Sequence, residues 1–358
     1  MSKIITFGEI MLRLNPPGFN RITETRTFEA LYAGCEANVA ASLACYGQQT
    51  EFVSRIPAND LGDACIAYLH QHGIGTTHML RGGDRLGIYF LEAGAAQRAS
   101  KVIYDRAGSG FATIKPGMVD WKTAFTGADW FHWTGITPAV SEGAALACAE
   151  AITVARQMGV IVSCDLNYRA KLWKWGKKAG EVMQELVAGC DVAAGNEEDA
   201  EKVFGITAPE ADVTGGKVEA GQYRTVCEKL AERFPNLKTV AITLRGSISA
   251  SHNTWSGALW TRPEPAQGTA PEPGRRGAFY TAPVYDIVPI VDRVGGGDSF
   301  VGSLIYGLRQ WPADPGQALR FAVAASCLKH SIPGDYNAVT IAEVEALMAG
   351  DVSGRVKR

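Results

Sequence analysis

The chain has 358 residues, 46% of them hydrophobic, with 35 Lys plus Arg against 37 Asp plus Glu for a formal net charge of −2. That is enough apolar material for one large or two smaller domains, and too even a charge balance for bulk attraction to nucleic acid or another polyanion. The eight cysteines (Cys35, Cys45, Cys65, Cys148, Cys164, Cys190, Cys227, Cys327) form no C-x-x-C pair and sit mostly in apolar surroundings, as small hydrophobes of a reducing compartment do.

From the N-terminus, Ile4-Ile5-Thr6-Phe7 reads as a first strand. The run 4–12 is too short to span a bilayer, is broken by Gly8 and Glu9, and leads into Arg13 rather than a small-residue cleavage site. Neither a signal peptide nor a membrane helix is therefore expected, and the expected location is cytoplasmic. Residues 37–46 read as a helix closed by Gly47 with a strand at 51–54 after it, and 63–72 as a helix ending at Gly73. His70 and His72 point different ways on that helix and give no metal spacing. Residues 86–92 and 100–106 read as consecutive strands; with the extended-looking 26–32 they predict a small antiparallel sheet projecting as a lid. Then come a helix at 142–157, a strand at 160–165, a helix at 180–188, a strand at 191–194, a helix at 224–234 and a strand at 239–244. Apolar strands alternating with helices predict a mostly parallel sheet covered on both faces. Residues 263–277, rich in Pro, Gly and Glu without periodicity, read as a surface insertion.

The most telling segment is Asp292-Arg293-Val294-Gly295-Gly296-Gly297-Asp298, followed by a helical pattern with Phe300, Val301, Leu304, Ile305 and Leu308 on one face and Pro312 beyond its end. Glycines at a helix start bring bare N–H groups and the positive end of the helix dipole to a ligand, a setting for an anion. Asp298 puts a carboxylate inside that setting, which suits a base that takes the proton of a hydroxyl attacking a phosphoryl group. The alternative is an aspartate that merely caps a helix after a Gly-rich turn. The run is neither a Walker A loop nor a G-x-G-x-x-G fingerprint, and the absence of the latter after the first strand speaks against a nicotinamide dehydrogenase.

This segment resembles the D-T-x-G-A-G-D signature of the ribokinase-like sugar kinases, the phosphofructokinase B family, with Arg293 for Thr and Gly296 for Ala. Ala33-Gly34-Cys35-Glu36-Ala37-Asn38-Val39 is similar to the family's N-terminal small-Gly-x-x-x-Asn element. The resemblance runs from about residue 4 to 339. Within the family it is strongest to the 2-keto-3-deoxygluconate kinases, through residues 87–92, 102–109 and 332–337. It implies a three-layer α/β/α sandwich, with a kinase domain at 1–345, a β lid from about 11–34 and 86–110, and a tail at 346–358. It further implies an ATP-dependent kinase acting on the terminal hydroxyl of 2-keto-3-deoxy-D-gluconate, with Mg²⁺ arriving on ATP, no dedicated metal site, and no nucleic-acid or membrane partner. A homo-oligomer through the lid is also expected. The rivals are a fructokinase- or ribokinase-type enzyme for a neutral sugar and a non-catalytic sugar-acid-binding regulator.

Residue by residue, the resemblance implies Asp298 as general base and the amides of Gly295, Gly296 and Gly297 as an anion hole that, through a Gly at 296 in place of Ala, is looser than usual. Gly34 and Asn38 fall at sugar contacts, or else are a turn glycine and a helix-start Asn. Arg106 and Arg169 are candidates for the substrate carboxylate, against surface ion pairs. Tyr89 and Tyr104 are candidates for stacking on the sugar, against cross-strand packing. Asp335 falls on the substrate side, though turn chemistry explains Gly-Asp equally well. On the nucleotide side stand Asn167, Asn196 and a strand-end loop with Thr243, Arg245 and Gly246, which matches T-x-G-x-x-G only in part. Asp199 stands where the family has the N-x-x-E glutamate that handles Mg²⁺ through water, with Glu197 or Glu198 as sharers of that role.

Overall fold

The computed structural model describes residues 2–207, 220–263 and 277–351. Its main sheet runs, from one edge to the other, Ala278–Thr281, His252–Thr261, Thr239–Ser249, Val192–Asn196, Ile161–Asp165, Ala128–Thr134, Lys3–Phe7, Thr50–Val53 and Ile74–Gly75. Neighbours from Thr239–Ser249 to Ile74–Gly75 are parallel, whereas His252–Thr261 returns antiparallel to Thr239–Ser249 and pairs in turn with Ala278–Thr281 and Tyr285–Ile287.

Successive strand residues face opposite layers. Ile5, Phe7, Phe131, Trp133, Val240, Ile242 and Leu244 enter one apolar core, together with the helices Glu142–Gln157, Ala179–Val187 and Arg224–Arg233. Ile4, Trp130 and Ala241 enter a second, on the other face, with Cys35–Cys45, Gly296–Gln310 and Pro315–Lys329. Helix starts are fixed locally: Ser141, Asn59 and Asp314 each accept an amide of the first turn, and Pro315 needs no donor there. The result is the three-layer α/β/α sandwich expected from the sequence.

Thr340 and Glu343 form a capping box for the helix Ile341–Met348, which includes position 346 and buries Val344 and Leu347. The loop expected at 243–246 is strand: Arg245 pairs with Trp255 and Gly246 with Thr254 inside a continuous hairpin. With one glycine in place of two, the ladder continues through Ser247 and, past an irregularity at Ile248, to Ser249. The insertion at 263–277 falls almost wholly outside the described residues.

A second sheet, Glu29–Ala33, Met11–Asn15, Gly87–Glu92 and Lys101–Asp105, lies over the C-terminal ends of the parallel strands. It is mixed: its outer pairs are antiparallel, but Met11–Asn15 and Gly87–Glu92 run parallel.

Candidate active site

Between this lid and the strand ends lies a cavity of about 360 Å³. It is where an α/β sheet presents loop residues to a ligand. Of the nineteen candidates named above, seventeen line it, from Gly34 and Asn38 through Asp298 to Asp335; Gly246, buried in the hairpin, and the exposed Glu198 do not.

The glycine run forms the floor. Gly295 adopts φ +80°, and a side chain there would strike the carbonyl of Asp335. The amides of Gly295, Gly297 and Asp298 find no acceptor among the described residues, as first-turn donors awaiting an anion do. At Gly296 a Cβ would lie 2.8 Å from the His330 ring, whose Nδ1 meets the Ser326 carbonyl at 2.7 Å. The glycine in place of alanine therefore makes room for a packed imidazole and does not simply loosen the loop. Burial drives the His330 pKa down to about 4, so the ring is neutral.

Asp298 is buried beside these amides and accepts a 2.6 Å hydrogen bond from Asn38 Nδ2. Asn38 Oδ1 in turn accepts the amide of Gly34. Asn38 thus turns both polar atoms onto the protein: its contact to the cavity is made while it holds the carboxylate. Desolvation pushes the Asp298 pKa up to about 6, opposed by the Asn38 bond and raised further by Asp335, while Arg169 lowers it. Gly34 has no alternative either, since a Cβ would meet the backbone carbonyl of Glu9.

On the lid side, Tyr89 and Tyr104 face each other across adjacent strands with ring centroids 6.0 Å apart. Tyr89 Oη donates to Asp335 Oδ2 at 2.8 Å, and Arg13 bridges Asp335 and Asp292. Asp335, which lines the cavity, is thereby tied to the lid. Arg106 lies over the Tyr104 ring, and its Nε and Nη2 both donate to Glu9, which also accepts from Ser109. Arg169 stands at the mouth of the cavity near Cys35, Asp165 and Asp199, and forms no ion pair within 4.0 Å among the described residues. Its Nη1 donates to the Tyr168 carbonyl, which leaves the rest of the guanidinium to a ligand.

On the far side, Asn167 adopts φ +36°, a conformation that Asn tolerates better than most residues, and its Nδ2 approaches Cys35 Sγ at 3.4 Å. Asp199 lines the cavity while its two oxygens accept the amides of Tyr168 and Asn196. Glu197 Oε2 lacks a partner, and burial raises that carboxyl above its ordinary range. Burial and the neighbouring Asp199 and Asp298 raise Asp165 strongly. Arg293, the residue in the Thr position, donates to the carbonyls of Ser249 and Ala250, tying the anion loop to the hairpin. Burial, and then the nearby Arg245, lower the Arg293 pKa; Arg245 itself pairs with Glu197 Oε1 at 3.8 Å. Glu9, Cys35, Asp165 and His330 also line the cavity and were not singled out from sequence; only Asp165, at the end of a predicted strand, carried a signal that pointed to it.

A phosphate-ready helix start with a carboxylate at its first turn, under a lid and between two cationic groups, defines a kinase for a small hydroxylated substrate. The pattern of the pfkB family carbohydrate kinases matches residues 1–246, and the chain belongs to that family. It is 45% identical to the 2-dehydro-3-deoxygluconokinase of Thermotoga maritima, with a TM-score of 0.89 over 98% of this chain and 100% of that one. The 2-dehydro-3-deoxygalactonokinase of Haloferax volcanii is 32% identical over 99% of this chain and 98% of its own length. The 2-dehydro-3-deoxygluconokinase of Thermoproteus tenax is 26% identical over 95% and 91%. Among the described residues no helix is long and apolar enough to cross a membrane.

Proposed function

We propose that this carbohydrate kinase transfers the γ-phosphoryl group of ATP to the terminal hydroxyl of 2-keto-3-deoxy-D-gluconate. The observation that carries the reading is the placement of Asp298 between unpaired helix-start amides and Asn38, with Arg106 and Arg169 in the same cavity. Asp298 takes the hydroxyl proton as the new oxygen–phosphorus bond forms; the β,γ-bridging bond breaks and ADP leaves. The amides of Gly295 and Gly297 meet the charge on the equatorial oxygens of the transferring group. Arg169, which forms no ion pair among the described residues and spends only Nη1 on the Tyr168 carbonyl, and Nη1 of Arg106 receive the sugar acid's carboxylate, and Tyr89 and Tyr104 form the wall behind it.

Arg245, Arg293, Asn167, Asn196 and Thr243 serve the nucleotide side. The lone oxygen of Glu197 and the carboxyl of Asp165 suit a divalent cation met through water, and Mg²⁺ carried on ATP would there offset phosphate charge. A coupled ADP-release assay over 2-keto-3-deoxy acids of both gluconate and galactonate configuration and over neutral ketoses tests the reading. Turnover confined to the acids is expected; a preference for fructose or ribose would withdraw the carboxylate assignment.

A further inference from the structure

Lys329 is the last residue of the Pro315–Lys329 helix and has no solvent exposure. Its ammonium forms no ion pair within 4.0 Å among the described residues. It donates instead to three backbone carbonyls, of Gly334 at 2.6 Å, Ile332 at 3.2 Å and Asp292 at 3.5 Å. A buried ammonium is costly unless its donors are filled, and here the three carbonyls fill all three. Those carbonyls belong to the two loops that meet beside the glycine run: Asp292 opens that run, and Gly334 precedes Asp335, whose own carbonyl occupies the space a Cβ at Gly295 would need. The carboxylates of Asp292 and Asp335 are spent on Arg13 and supply compensating charge at longer range.

We infer that Lys329 is a positioning residue whose ammonium serves as a tethered cation, locking the glycine run against the 332–335 loop so that the Gly295 and Gly297 amides keep their aim. A carbonyl cage of this kind is the chemistry by which a protein holds a monovalent cation; here the chain supplies the cation itself. Phosphoryl transfer by the parent enzyme therefore needs none from solvent. The inference rests on the anion-hole reading above, and the test separates the two, because turnover in any buffer bears on that reading while cation dependence bears only on this one.

Steady-state kinetics of the parent in choline, sodium, potassium and ammonium chloride at constant ionic strength should agree within about twofold, whereas stimulation of kcat by potassium beyond about fivefold would overturn the inference. Lys329→Ala should lose about 10–100-fold in kcat, the effect expected of slight misplacement of transition-state donors. Ammonium or potassium, but not choline, should restore much of it. Lys329→Met fills the cage without charge and should stay slow in every salt. A folded Lys329→Ala enzyme that no cation rescues, or a Met variant as active as the parent, refutes the role; if neither variant folds, the parent's cation profile decides.

Discussion

At the scale of single residues, the environment of Asp298 sets both its chemistry and its pH range. Burial raises its pKa to about 6 against the opposing Asn38 hydrogen bond, and the proposed base would act in its ionised form. kcat/KM should therefore rise with pH and level off about a unit above that value, the acid limb reporting the deprotonation of this group. Asp298→Asn should lower kcat by about 10²–10⁴-fold with little change in substrate KM, and should remove the acid limb. A variant with near-parent kcat would take Asp298 out of the mechanism. Arg106 is more constrained, since Glu9 holds two of its three nitrogens. One charge-assisted bond through Nη1 is worth roughly 1.5–3 kcal/mol, so Arg106→Ala should cut kcat/KM for 2-keto-3-deoxygluconate by about 10–150-fold and spare a neutral ketose. Arg106→Lys should recover only part, because an ammonium lacks the fork. Equal losses on both substrates would mean that Arg106 serves only to latch the lid onto Glu9.

At the scale of elements, the glycine-run helix was legible because its information is local. Three glycines, two flanking aspartates and one apolar stripe occupy consecutive positions, and Asp165 and Asn196 at strand ends belong to the same short-range grammar. What escaped is long-range. Glu9 meets Arg106 97 positions away, and Arg13 meets Asp335 322 positions away, so nothing near either residue announces its partner. The central strand Ala128–Thr134 escaped because its buried polar residue, His132, finds Ser163 Oγ at 2.9 Å only once the sheet has formed. The antiparallel hairpin escaped because a partial glycine motif was read as a loop where the residues could pair. His330 shows how such distance misleads: Gly296 looked like a loosened alanine until the imidazole beneath it came into view. Gly296→Ala should therefore depress kcat through displacement of the anion loop. Gly296→Ala combined with His330→Ala should regain activity relative to the single variant, the signature of two residues sharing one space. Strictly additive losses in that double-mutant cycle would deny the coupling.

At the scale of the whole molecule, the lid has an imbalance that its own sheet does not resolve. Met11, Arg13, Ala33, Tyr89 and Leu91 face inward and are buried. A sheet with one covered face ordinarily presents polar residues on the other. By the observed register, the opposite face carries Leu12, Leu14, Ala30, Tyr32, Ile88, Phe90 and Ile103. Leu12 and Tyr32 pack partly against the body, but Phe28, which stacks edge-on to Phe90, is 38% exposed and Ile103 is 52% exposed. The edge strand Lys101–Asp105 is exposed along its whole length. An apolar face beside an open edge marks an interaction surface, and since each copy carries the same face, a symmetric pairing of two lids would cover both. This favours the homo-oligomer expected from the family resemblance. Ile103→Asp, outside the cavity, places a charge in that face without touching Asp298 or its neighbours. Light scattering coupled to size exclusion should find the parent as a dimer and the variant shifted toward monomer at micromolar concentration. Because Val102 and Tyr104 on the same strand line the cavity, monomerisation should also raise KM for the sugar acid more than it lowers kcat. A parent that runs as a monomer at every concentration would leave the lid's outer face without this role.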